Sequence, residues 1–282
     1  MEWLTETKIP LGQWISSLMD ALNEHADFVF YTISDVLEFI IENTIDFLVW
    51  LPALLIIAAF GVLAAVVHKS WKLTAFTVLS LLLVVNLGYW EETMETLALV
   101  IYATLFCMLI GVPLGVASAH RPWLHQAMRP VLDLMQTIPT FVYLIPTLIL
   151  FGLGVVPGLI STVIFAIAAP IRLTHLGISN TPKALLEAGE SFGCTPRQLL
   201  FKVELPSAMP SIMAGLTQCI MLSLSMVVIA ALVGADGLGK PVVRALNTVN
   251  IAQGFEAGLA IVILAIVLDR ICRRENNETS GQ

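Results

Sequence analysis

The sequence predicts an all-α, polytopic membrane protein with about seven transmembrane helices. Three observations carry that expectation. Of the 282 residues, 57% are hydrophobic and only 12% charged, with a mean hydropathy of +0.88, whereas a soluble domain carries roughly 25% charged residues. Apolar runs recur at or near the ~20 residues that a helix needs to cross a bilayer. The basic residues gather at alternate junctions between those runs, which is the asymmetry that fixes orientation in a membrane.

The first 46 residues carry nine acids against the single basic Lys8, the wrong sign for the n-region of a cleavable signal. Trp14, Ile15, Leu18 and Leu22 share one helical face, as do Ile33, Val36, Leu37 and Ile40, while Asp35, Glu38, Glu42 and Asp46 share another. That is amphipathic periodicity rather than a span. Interfacial helices are usually basic. This one is acidic, so segment 1–46 is expected on the outer side, against the membrane surface or the protein body.

Seven apolar spans are expected after it. Residues 47–67 and 73–89, the second rather short, form a peripheral pair over 47–89. The third is 97–119. Between Asp133 and Arg172 lie 38 uncharged residues, too many for one span. The FGLGVVPG turn at 151–158 divides them into a fourth and a fifth. The sixth is 208–233. The seventh, 251–268, has Gln253 and Glu256 intruding at its start, and 273–282 is a tail.

Charge orients the set. The junctions after spans one, three, five and seven, with the tail, hold Lys69, Lys72, Arg121, Arg129, Arg172, Lys183, Arg197, Lys202, Arg270, Arg273 and Arg274, eleven of the fourteen basic residues. The opposite side has Lys8, Lys240 and Arg244, beside the acidic Glu91, Glu92 and Glu95. The N-terminus is therefore expected outside and the C-terminus in the cytoplasm.

The longest polar interruption, TPKALLEAGESFGCTPRQLLFKVELP at 181–206, falls on the cytoplasmic side. Thr181-Pro182 reads as a helix start. Leu185, Leu186, Gly189 and Phe192 recur at helical spacing, and Gly193 sits where a left-handed cap would end the helix. Thr195, followed three residues later by Gln198, is a capping box, and Leu205-Pro206 closes the unit. Helices of about ten residues are too short to stand alone in water, so both must lie against something else. A DNA-reading helix-turn-helix would need a basic face. Here Glu187, Glu190 and Glu204 oppose Lys183, Arg197 and Lys202, and no nucleic-acid partner is expected. A plain hairpin joining two spans is the other alternative.

Glu187-Ala188-Gly189, three residues, Gly193, nine residues and Val203-Glu204-Leu205-Pro206 resemble the cytoplasmic EAA loop of bacterial ABC-importer permeases. Gly189 stands in place of an alanine and Val203 in place of an isoleucine. The resemblance continues through MQTIPTFVYLIPTLILFGLG, IRLTHLGI, SFGCTPRQLLFKVELPSAMPSIMAG and LSMVVIAALVGADGLG. Together these cover about 90–272 and look like permeases of glycine betaine, proline betaine and choline importers, a choline importer most of all. The resemblance implies a type I ABC importer permease core over 90–272 in a bacterial inner membrane. It also implies a homodimer, a periplasmic substrate-binding protein and a separate ATPase that uses ATP and Mg, with no cofactor on this chain. The binding protein would hold a quaternary ammonium in an aromatic cage by cation–π attraction. Glu187, Ala188, Gly189, Gly193, Val203, Leu205 and Pro206 would form the element that docks on the ATPase.

Catalytic signatures are missing: no GxxxxGK[ST], HExxH or GxSxG occurs, and the glycine-rich 234–239 follows a helix rather than a strand. Those absences speak against an intramembrane enzyme, and the coupling loop speaks against a passive osmotic channel. Cys107, Cys194, Cys219 and Cys272 lack metal spacing and are expected as free thiols. His120 and His125 flank Arg121 with no carboxylate nearby in sequence and read as interfacial. Gly111 and Gly115, four apart, serve close helix packing or flexibility with Pro113. Asp133 is placed to pair with Arg129 or Arg172. Gln136, Thr140, Tyr143, Thr217, Gln218 and Ser225 are candidates to line a polar pathway. With Thr137, Thr147 and Ser223 they could equally bridge helices.

Overall fold

A computed structural model describes residues 10–272, and all the regular structure among them is helical. The main helices are α1 (Leu11–Trp50), α2 (Ala53–His68), α3 (Trp71–Asn86), α4 (Trp90–His120), α5 (Pro122–Thr137), α6 (Thr140–Phe151), α7 (Val155–Ala166), α8 (Ala168–Ser179), α9 (Lys183–Ser191), α10 (Pro196–Leu199), α11 (Leu205–Ala230), α12 (Gly239–Thr248) and α13 (Ile251–Cys272). A π-helical turn, Leu200–Glu204, joins α10 to α11. Lys8, Arg273, Arg274 and the tail 273–282 lie outside the described residues, as does the side chain of Leu18.

The centre is built where α4, α8 and α11 meet. Glycine allows it: a Cβ on Gly111 would stand 3.0 Å from Pro170 Cγ, and one on Gly115 only 2.6 Å from Thr174 Cβ and 2.8 Å from the Ile171 carbonyl. Gly177 meets Ala208 and Ser211 in the same way. Close packing is thus the role of the glycine pair, because backbones can only approach this far where no side chain intervenes. Pro113 sits inside an unbroken α4.

Each expected span finds a helix, with two corrections. Among the described residues four helical stretches are long and apolar enough to cross a membrane singly: Trp90–His120, Val155–Ser179, Pro196–Val233 and Ile251–Cys272. The other two candidates are bent pairs, α1 with α2 at 98° and α5 with α6 at 97°, and α3 has only 16 residues. The first span therefore starts after Pro52, not at 47, and the fourth is broken at Ile138-Pro139. Both breaks have one cause. A residue before proline is driven out of the α region, and Leu51 (ψ 136°) and Ile138 (ψ 133°) are extended.

Segment 12–46 lies within one continuous helix, and of the two expected placements it takes the one against the protein body. Ile41 is fully buried with Ala103 and Leu159, Ser34 donates to the Phe151 carbonyl at 3.3 Å, and Thr44 meets Tyr102 Oη at 2.7 Å. Its buried face is Ser34, Leu37, Ile41 and Ile45. Ile33, Val36 and Ile40, expected on the apolar face, are exposed. The helix α12 was not anticipated. It is pinned to α4 where the Leu238 amide donates to Thr96 Oγ1 at 2.8 Å.

Candidate functional site

The polar loop folds largely as its residues dictate. The chain leaves α9 through Gly193 at φ +75°. The Cys194 amide donates to the Gly189 carbonyl at 3.0 Å and the Gly193 amide to the Glu190 carbonyl at 2.9 Å, the paired bonds of a Schellman cap. Thr195 and Gln198 then form the reciprocal capping box. Gly189 is buried under the second half of the loop: an added Cβ would stand 2.7 Å from Leu199 Cδ1. That contact is the far end of a flexible side chain, so an alanine could be fitted by rotating Leu199.

Three local expectations fail. Thr181 does not cap α9: Pro182 is the cap residue with ψ 127°, and the Thr181 hydroxyl is buried without a partner. Phe192 leaves the packed face and stands 90% exposed. The second loop helix is not a separate short element, because α10 and the π turn run without interruption into α11. The π turn falls just before Pro206, which has no N–H to continue the ladder. The second half of the loop is thereby continuous with a central span.

A second tie was hidden by sequence distance. Glu204, 7% exposed, places its carboxylate 2.9 Å from His120 Nε2 at the end of α4, while His120 Nδ1 lies 3.0 Å from the Val116 carbonyl. His120 therefore has the carboxylate company that its sequence neighbours lack. His125 and His175 stack with ring centroids 3.9 Å apart. Arg172 reaches Asp133 Oδ1 at 2.6 Å, the alternative to an Arg129 pair. The four cysteines are free.

The pathway candidates separate into two groups. Thr217 and Gln218 line an open cavity of about 620 Å³ with Met209, Met213, Met221 and Asp269, between α11 and the end of α13. Ser225 continues that face of α11 one turn on, donating to the Met221 carbonyl. Gln136, Thr140 and Tyr143 are not part of that cavity. The Tyr143 hydroxyl donates to the Met135 carbonyl, folding α6 back over α5 across the proline bend. Thr147 bonds Ser161 at 2.8 Å inside the protein, a bridge rather than a lining group. Asp269 was missed, although an acid near the end of an apolar span is a signal in itself.

Charge is segregated along the helix bundle. Tyr89, Glu91, Glu92, Glu95, Asp236, Lys240, Arg244 and Gln253 enclose a polar mouth of about 280 Å³ where α4 and α13 begin, with Lys240 paired to Asp236. Partial burial, with Glu256 and Glu92 close by, pushes the Tyr89 phenol above its usual range. The loop, His120 and Arg270 lie at the other ends of the same helices.

Residues 111–272 match the family described as binding-protein-dependent transport system inner membrane component. The chain is 44% identical, over 98% of its length, to the glycine betaine/proline betaine transport system permease protein ProW of Escherichia coli K12, of which it covers 78%. It is 43% identical, over 97% of its length, to the glycine betaine/carnitine transport permease protein GbuB of Listeria monocytogenes, of which it covers 98%. In fold it is similar to a chain of the inward-facing MetNI methionine ABC transporter, with a TM-score of 0.57 and 25% identity over 64% of this chain and 92% of that one. The chain belongs to the binding-protein-dependent transport permeases: it is an all-helical, polytopic inner-membrane subunit with the type I ABC importer fold, a transport protein rather than an enzyme, from a family that works with an ATPase and a substrate-binding protein.

Proposed function

We propose that this chain forms the passage for a quaternary ammonium osmolyte, glycine betaine or proline betaine before choline, in an importer driven by a separate ATPase. The order reverses the one that sequence resemblance suggested. It follows the two relatives above, whose names carry glycine betaine and not choline. The acidic mouth faces the periplasm and the substrate-binding protein, and the loop at 181–206 faces the cytoplasm, in keeping with the distribution of basic residues. ATP and Mg are used on the partner, and this chain holds no cofactor.

One observation carries the coupling role. The capped hairpin of α9 and α10 is locked by its own bonds, presents Phe192 to solvent, and continues without a break into α11. A rigid hairpin with an exposed aromatic suits insertion into a preformed groove. Through α11 and the Glu204–His120 tie, its displacement reaches α11 and α4 together. A second copy packs against the exposed face of α11 that carries Met209, Met221 and Ser225, so the cavity beside Thr217 and Gln218 lies toward the dimer axis.

Uptake of labelled glycine betaine into proteoliposomes holding the permease, its ATPase and its binding protein tests the reading. ATP-dependent accumulation is expected, suppressed by unlabelled proline betaine more than by choline. Accumulation without ATP, or stronger suppression by choline, overturns the coupling or the substrate order respectively.

A further inference from the structure

A cavity of about 490 Å³ opens between the end of α2, the start of α3 and the end of α13. Its polar wall is made of His68, Ser70, Lys72 and Arg270, and its apolar wall includes Phe76 and Ile266. Lys72 and Arg270 make no ion pair with any carboxylate among the described residues. The adjacent acid, Asp269, lines the cavity on the other side of α13. His68 Nε2 lies 3.3 Å from the Ile271 carbonyl. Ser70 ends the turn before α3 without a side-chain cap bond, so the positive end of that helix faces the same space.

The apolar wall points to the other half of the ligand. Phe76 and Ile266 are 42% and 37% exposed, on helices that belong to the membrane-embedded body. Trp71, next to Lys72, is 82% exposed, as an aromatic at headgroup depth would be. Two cations beside a helix N-terminus, directly above an open greasy wall, ask for an anionic head joined to a hydrocarbon chain. A free anion would leave Phe76 and Ile266 unused, and a neutral zwitterionic lipid would leave two cations unmatched.

We propose that this cavity is a binding site for the phosphate headgroup of an anionic phospholipid, with an acyl chain lying along Phe76 and Ile266. The lipid fills the seam between the α2–α3 hairpin and α13 and fastens the peripheral pair to the core. This needs only that the chain spans a bilayer. It does not depend on substrate, coupling or orientation.

Native mass spectrometry of the full chain in neutral detergent tests it, titrating dioleoyl phosphatidylglycerol, dioleoyl phosphatidylcholine and inorganic phosphate in turn. Phosphatidylglycerol is expected to bind about thirtyfold more tightly than phosphatidylcholine. Lys72→Gln with Arg270→Gln weakens it roughly thirtyfold, about fivefold for each cation removed, while phosphatidylcholine binding stays unchanged. Arg121→Gln, a loss of charge elsewhere, leaves phosphatidylglycerol binding as it was. Both substituted side chains are exposed, and if the double variant fails to fold, the single variants carry the comparison. Undiminished phosphatidylglycerol binding in the variants overturns the site. Inorganic phosphate displacing the lipid at equal concentration assigns it to free anions instead, and equal binding of the two lipids removes headgroup selection.

Discussion

At the scale of the residue, glycine does two different jobs in this protein. Gly115 and Gly111 are required for space, since the Thr174 and Pro170 side chains occupy the positions where their Cβ atoms would stand. Gly193 is required for conformation: nothing lies within 4 Å of a Cβ built on it, but its φ is +75°. A valine there meets no neighbour and costs only backbone strain, roughly 1–2 kcal/mol, which the chain can relieve by changing the angle between α9 and α10. Gly193→Val is therefore expected to leave the amount of inserted permease unchanged while uptake per inserted permease falls about five- to thirtyfold. Uptake near the wild-type value, measured against permease quantified in the same membranes, would refute the docking role and leave a mere connection between α8 and α11. Gly193 was legible in the sequence because its neighbours Thr195 and Gln198 announce the next helix start. The packed role of Gly115 was not, since Thr174 is distant in the chain.

At the scale of the element, the decisive contacts join helices that sequence spacing cannot pair. The π turn at Leu200–Glu204 turns the Glu204 side chain inward to His120, tying the hairpin, proposed above as the coupling element, to α4. Glu204 is almost buried and its partner half-exposed, so losing the bond costs about 1–3 kcal/mol, with solvent screening on the exposed side. Glu204→Ala and His120→Ala are each expected to lower the number of substrate molecules imported per ATP hydrolysed by about tenfold. The double variant should be no worse than either single one, because both remove the same bond. Additive losses in that cycle, read in proteoliposomes with ATPase activity measured alongside, would show that the two residues act separately. The helix α1 makes the complementary point. Its amphipathic character was readable, but its buried face is Ser34, Leu37 and Ile41 rather than Ile33, Val36 and Ile40. Lipid and protein both accept apolar side chains, so in a membrane hydrophobicity alone does not say which face meets protein.

At the scale of the whole molecule, charge separation along the bundle is what supports the proposed orientation. The acidic mouth and the hairpin of α9 and α10 lie at opposite ends of α4 and α13, and the positive-inside rule predicts the hairpin on the cytoplasmic side. Single cysteines in a cysteine-free background test this. An impermeant maleimide added to intact spheroplasts is expected to label Ser16→Cys and not Gln198→Cys, with Gln198→Cys becoming reactive on lysis. The reverse pattern would invert the topology and remove the docking argument with it.

The sequence by itself determined the order and approximate positions of the apolar helices, the position of the hairpin, its left-handed glycine cap and its capping box. These depend on composition and on interactions within a few residues of one another. It also contained the two X-Pro breaks at Leu51-Pro52 and Ile138-Pro139, which a reading based on hydropathy passes over because proline does not lower the hydropathy of a run enough to end it. Only the tertiary structure decided which polar residues meet: His120 with Glu204, Arg172 with Asp133, and Thr217 with Asp269 around one cavity while Gln136, Thr140 and Tyr143 lie apart from it. Those pairings depend on the rotation of each helix about its own axis. Close packing of α4, α8 and α11 through their glycines sets that rotation, and no local pattern in the chain encodes it.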